Sequence, residues 1–272
     1  MGTTFKLTFY ARSPQQADTA AAQSFQRIEE LNGIFSDYLD SSEISLLSGK
    51  TGRKVRVSDE LWYLIRLSKQ ISKHSDGAFD ITIGPLSKLW RRAIRQQQFP
   101  DSARIMEARE LVNYKWIKLY PASRQVKLKK AGMALDFGGI AKGYAIDQAF
   151  QVLRETGINI ALVDGGGDLY ISADPPDGSS WDIKDHKGTQ VELEPPVAIA
   201  SSGDHYRYLD WMGKRFSHII DPAKGVGLEN SEVITIAASS ATIADALASA
   251  ISVLSGNERY KLLKKYHAIL IE

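Results

Sequence analysis

The chain has 272 residues, 43% of them hydrophobic and 24% charged, with a formal net charge of +2 and no cysteine. Such a chain can bury an ordinary core. The composition excludes disulfides, zinc–thiolate sites and cysteine nucleophiles, gives no electrostatic footprint for nucleic acid, and contains no run near the ~20 apolar residues that span a bilayer.

Residues 3–10 alternate as a β-strand, with no signal peptide in view. Ser13 then opens a long helix with Pro14 in its first turn. Ala21, Phe25, Ile28, Leu31 and Ile34 recur on it at spacings of three and four, so one face is buried. A second helix is predicted over 59–74. Asp76-Gly77 ends it, and a shorter helix follows Pro85. Residues 116–120 and 125–128 read as a hairpin. Residues 133–137 read as a strand broken by Gly138-Gly139, and 140–155 as a helix. Further strands are predicted at 158–163, 197–200 and 233–238, with weaker ones at 181–185 and 190–193. A strongly patterned helix over 242–254, a short helix and a strand at 268–271 close the chain. Strands and helices alternate without a regular period, which indicates an α+β (mixed α/β) fold. One domain over 1–272 is expected, built as one body or as two intertwined subdomains. No G-x-G-x-x-G follows the first strand and there is no P-loop, so neither a simple Rossmann nor a Walker site is supported.

Five segments could carry chemistry. In Asp136-Phe-Gly-Gly-Ile-Ala-Lys142-Gly-Tyr144 a strand end meets a helix start. Glycine lets backbone approach a ligand, the helix start offers N–H donors to a pyrophosphate, and Lys142 adds a cation. The alternative is a tight turn with Asp136 as a cap. Asp164-Gly-Gly-Gly-Asp168 is a ligand loop or a β-turn between two strands. Ser217-His218-Ile-Ile-Asp221-Pro222 offers His218 as a base, or a histidine satisfied by backbone at a strand end. In Thr242-Ile-Ala-Asp245-Ala-Leu-Ala-Ser249, Asp245 and Ser249 lie four apart on one helix face and could give oxygen ligands to magnesium. The alternative is a capping box with Thr242 as N-cap. Asp76-Gly77-Ala78-Phe79-Asp80-Ile-Thr-Ile-Gly-Pro85 is a loop turning into a strand-like run with an acid at its centre; alone it reads as a turn with Phe79 buried. His74, His186, His205 and His267 have no partner at a useful spacing.

Together with Met1-Gly2-Thr3 and Phe35-Ser-Asp-Tyr38-Leu-Asp-Ser-Ser-Glu43, these segments resemble the ApbE family of flavin transferases, in the family's order and over nearly the whole chain. The resemblance implies a T-fold-like core of mixed sheets flanked by helices. It implies magnesium-dependent transfer of FMN from FAD to a Ser or Thr hydroxyl of a partner protein, with release of AMP. It places Met1, Tyr38, Ala78, Phe79, Asp80, Asp136, Lys142 and Ile220 on FAD. It places the Gly139 carbonyl, Asp245 and Ser249 on magnesium, and His218 as base beside Asp221. Ser249 stands where the family has Thr, and Lys224 where it has Thr before Gly225. The alternatives are a magnesium-dependent FAD pyrophosphatase giving FMN and AMP, and an FAD-binding protein without activity. The resemblance also suggests an exported, periplasmic protein whose leader is not part of this sequence; cytoplasmic relatives exist as well.

Overall fold

The computed structural model describes residues 2–184, 187–203, 207–229 and 232–271. Met1, His186 and His205 lie outside the described residues. Strand β1 (Phe5–Phe9) leads into α1 (Pro14–Phe35), which Ser13 caps by accepting from the Gln16 N–H. Then come α2 (Glu43–Ser48), β2 (Val55–Arg56), α3 (Asp59–His74), α4 (Gly84–Gln96), α5 (Ser102–Arg109), β3 (Ile117–Tyr120) and β4 (Gln125–Leu128). Helix α6 (Ala141–Glu155) precedes β5 (Ala161–Gly165), β6 (Leu169–Ile171) and β7 (Val197–Ser202). Two small hairpins follow, β8 (Tyr208–Trp211) with β9 (Lys214–Ser217) and β10 (Ile220–Asp221) with β11 (Val226–Gly227). Strand β12 (Ile234–Ala238), α7 (Ala241–Val253), α8 (Gly256–Tyr266) and β13 (Ile269–Ile271) complete the α+β fold.

The main sheet has the order β1-β5-β6-β7-β12-β13, and each neighbouring pair is antiparallel. Strand β12, Ile-Thr-Ile-Ala-Ala, lies between β7 and β13 and is buried throughout. One face carries α7, then α6, then α1. Helix α7 is alanine-rich and buried almost all round, because it lies between the sheet and α6. Small side chains are what let such a helix sit close to two neighbours. A second cluster joins Leu86, Trp90 and Ala93 of α4 to Leu209, Phe216 and Ile220 of the hairpins.

Several expectations change. Residues 133–137 bury Met133, Leu135 and Phe137 in alternation, as a strand would. They form only one isolated bridge, Ala134 to Ile83, because the facing segment is a turn with no ladder to offer. Residues 181–184 and 190–193 likewise share one bridge, Lys184 to Gln190, and Asp185 lies outside the described residues. Tyr114–Trp116 is a 3-10 turn rather than the start of β3. Helix α7 starts earlier than predicted: its N-cap is Ser240, which accepts from the Ile243 N–H, so Thr242 is not the cap. Among the described residues no helix is long and apolar enough to cross a membrane.

The α6–α7 contact has a specific construction. Asp147 of α6 accepts hydrogen bonds from the Ala241 and Thr242 N–H groups at 2.8 and 2.9 Å, and from the Thr242 hydroxyl. It thus satisfies donors that the first turn of α7 leaves open. Four residues before it, Gly143 lies against the α7 backbone. A Cβ built there would stand 2.0 Å from the Ala241 carbonyl oxygen. Gly143→Ala is therefore expected to push the helices apart and cost about 1–3 kcal/mol or more. Urea unfolding checks this: the midpoint should fall with the m-value unchanged, and an unmoved midpoint would show that the helices part freely.

Candidate active site

The start of α6 is tied to the middle of α7. Asp245 accepts a hydrogen bond from the Gly143 N–H at 3.0 Å, and its other oxygen lies 3.5 Å from Lys142 Nζ. Asp168, at the end of the β5–β6 turn, makes a close ion pair with the same Nζ and accepts from the Ser201 N–H at 3.1 Å. One ammonium thus sits between two buried carboxylates drawn from a turn and a helix. Burial alone would lower the Lys142 pKa, but Asp245 and Asp168 more than offset this and raise it. Burial, then the Asp245 charge, pushes Asp168 up to about 6, with Lys142 pulling against them.

The turn before α6 carries two glycines, of which Gly138 is exposed. Gly138 donates to Asp136 at 2.7 Å, so Asp136 does cap this turn. Gly139 packs so closely on α7 that a Cβ there would stand 2.6 Å from Ser249 Oγ and 3.5 Å from the Phe79 ring. Gly139, Ser249 and Phe79 are therefore brought together. Asp245 joins them from one turn earlier on α7, and Ile140 at the helix start makes no side-chain cap. The Ile140 and Ala141 N–H groups return to the Phe137 carbonyl at 3.0 and 2.8 Å, and the Gly143 N–H goes to Asp245, so the helix dipole and Lys142 rather than a row of free donors would favour an anion here.

A second ionic knot lies beside it. Arg91 of α4 pairs closely with Asp37 and donates to Asp136 at 2.7 Å. Its guanidinium also lies 4.6 Å from the centre of the Tyr38 ring. Tyr38 is 67% exposed, a large value for an aromatic held in place by a cation. Burial and the Asp136 charge raise the Asp37 pKa, while Arg91 counters them.

Other predicted residues have different surroundings. Asp80 accepts from the Thr82 N–H and hydroxyl and from the Tyr114 N–H at 2.7–2.8 Å, so its carboxylate closes its own loop and ties it to the 3-10 turn at Tyr114. Ala78 is in the turn after α3, and Ile220 is buried in the α4 cluster. His218, exposed between β9 and β10, directs both its N–H and its Nδ1 at the Arg207 carbonyl, at 3.0 and 3.2 Å. Asp221 accepts from the Ala223 and Lys224 N–H groups and pairs with Lys224 Nζ at 3.1 Å, so it closes the loop rather than orienting His218. Asp164 accepts from the Gly167 N–H, as in a β-turn, while Asp168 in the same motif reaches the site.

Sequence reasoning did not single out Arg91, Asp37 or Asp147. Arg91 lies in a run of basic residues on an amphipathic helix, where a solvated role is the default. For Asp168 there was a signal, an acid directly after three glycines at a strand end, but nothing in the spacing joined it to Lys142.

The model described as "ApbE family" matches residues 1–271. A relative from Klebsiella pneumoniae named FAD:protein FMN transferase is 31% identical over 232 residues, covering 85% of this chain and 72% of its own length. One of the same name from Vibrio cholerae is 29% identical over 272 residues, covering 95% and 80%. The solved apo form of Pseudomonas stutzeri flavinyl transferase ApbE superposes with a TM-score of 0.86 at 28% identity, over 99% of this chain and 88% of that one. Flavin transferase ApbE from Vibrio cholerae gives 0.88 at 25% identity, over 100% and 90%.

The Asp168 shift sets a pH dependence. The folded chain holds this proton up to about pH 6; an unfolded aspartate releases it near ~3.9. The folded state binds more protons between those values, so stability falls as pH rises across the window, by about 2–3 kcal/mol for this group. Asp168→Asn should remove that fall. Urea midpoints measured from about pH 4 to about pH 7 test it, and equal slopes in both proteins would exclude Asp168 as the source.

Proposed function

The chain belongs to the ApbE family, and from that premise we propose that it is an FAD:protein FMN transferase that uses magnesium and a Ser or Thr acceptor. The observation that carries the reading is Lys142, held between two buried carboxylates in the first turn of α6. Transfer is a displacement at phosphorus, which needs positioning and charge neutralisation more than covalent help. The acceptor hydroxyl oxygen bonds to the FMN phosphorus as the anhydride bond to AMP breaks. The hydroxyl proton passes to His218, and AMP leaves with the bridging oxygen. The Arg207 carbonyl favours the tautomer with the proton on His218 Nδ1, which puts the basic lone pair on Nε2.

The residues at the α6 start suit magnesium. Asp245, Ser249 Oγ and the Gly139 carbonyl are hard oxygen donors, and the missing Gly139 Cβ lets this backbone come up against Ser249. Magnesium held there would complete its shell with water and phosphate. Bound there, the ion would neutralise charge on the pyrophosphate. Lys142 and the α6 dipole support the same phosphates, and the exposed Tyr38 offers a ring face to the flavin, while Phe79 is buried in the core behind Gly139.

Incubation with FAD, magnesium and an acceptor protein should give covalent FMN on the acceptor and AMP in equal amounts. Free FMN with unlabelled acceptor would overturn transfer in favour of hydrolysis. Asp245→Asn, which keeps the side-chain shape and removes the charge, should cut magnesium-dependent turnover about a hundredfold or more. Full turnover would remove Asp245 from the metal site. His218→Ala should slow transfer by about 10²–10⁴ with FAD affinity kept, since a general base is worth that much. Normal transfer in this variant would eliminate His218 as the base.

A further inference from the structure

A transferase must hold its protein acceptor as well as FAD, and the residues above account for FAD alone. The segment that carries Arg91 also forms a cleft of about 470 Å³ on its outer side, between α4 and α5. Pro85, Leu89 and Leu111 give it an apolar floor, and Lys88, Arg92 and Arg104 stand around it. Among the described residues none of these three cations pairs with a carboxylate; Arg92 donates only to Gln96, at 3.1 Å. Glu107 is the one acid in the lining. Over residues 84–109 Lys88, Arg91, Arg92, Arg95, Arg104 and Arg109 face only Asp101 and Glu107, in a chain whose net charge is +2.

The cleft adjoins the site. Lys88 lies one helical turn before Arg91, which touches Asp136 and Tyr38. On the other side Trp90 donates to the Gly225 carbonyl at 2.9 Å, and Gly225 lies against Arg109 of α5. Helices α4 and α5 therefore bridge the Arg91 knot and the loop that follows His218. We propose that this cleft is the docking groove for the acceptor protein, and that it takes an acidic segment bearing one or two apolar side chains. The proposal rests on the transferase reading. The floor takes the apolar side chains, and the unpaired cations draw in and orient the carboxylates.

The test uses the full chain and two synthetic peptides, each with a central Thr and a Leu, one flanked by Asp and Glu and the other by Lys. Peptide binding is read by fluorescence anisotropy without FAD, and FMN transfer is read separately. The wild type should bind the acidic peptide at least about tenfold more tightly, with the difference shrinking as salt is raised. The triple variant Lys88→Glu, Arg92→Glu, Arg104→Glu should reverse the preference. It should raise KM for the acidic peptide about tenfold with FAD affinity and kcat unchanged. Because the three side chains are at the surface, retained FAD affinity also reports an intact fold. Equal binding of the two peptides, or a preference unmoved in the variant, overturns the proposal. Binding to phosphatidylserine vesicles lost in the variant, without peptide discrimination, overturns it in favour of a membrane. If peptides bind with the expected preference and no FMN is transferred, the groove stands and the transferase reading fails.

Discussion

Helices α6 and α7 meet backbone to backbone at Gly143 and Ala241, and the candidate site depends on that approach. With the helices one side chain further apart, Asp245 would not reach the Gly143 N–H, and Ser249 would not stand beside Gly139. Asp147 holds the approach from one end by closing the open first turn of α7. Residues 139–147 thus do two jobs in sequence. They offer a helix start to a ligand, then dock that helix on the one that brings Asp245 and Ser249. The burial of α7 in alanine follows from the same demand, since larger side chains would lift it from α6 and the sheet.

Around this contact the charged groups share one pattern: a single cation lies between two acids. Lys142 joins Asp168 and Asp245, and Arg91 joins Asp37 and Asp136. Buried pairs of this kind add little net stability, but losing one partner costs a great deal, about 3–5 kcal/mol. They therefore act chiefly to fix geometry. Each knot also ties together elements distant in sequence: the β5–β6 turn to α6 and α7 in one case, and the segments before α2 and α6 to α4 in the other.

Much of this was legible in the sequence, and the boundary is a physical one. Long amphipathic elements such as α1, α3, α6 and α7 announce themselves by spacing, because one face must be buried whatever the neighbours are. Asp245 and Ser249 were readable as one helix face for the same reason. Segment 133–137 was misread because its alternation is that of a strand, yet a ladder needs a partner, and pairing is not local information. Arg91 was invisible because burial of a charge is decided by what packs against it. Asp80 and Asp221 show the converse: each is an acid in a motif whose carboxylate is taken up by structure, Asp221 by its own loop and Asp80 by its loop and the Tyr114 N–H. The family resemblance supplied the flavin; the residues by themselves gave only a pyrophosphate and a cation.

Lys142 has one more consequence. Two buried acids facing one another would ordinarily repel, and a chain built that way would need an ion present in order to close. Here the compensating charge is covalently attached and arrives with the polypeptide. The two carboxylates are therefore balanced within the chain itself, before any metal or nucleotide is met. A divalent cation bound at Asp245, as proposed, would compete with this resident ammonium, so its affinity would be a difference between two attractions. Its uptake would then be favoured together with phosphates that give the ammonium somewhere else to go.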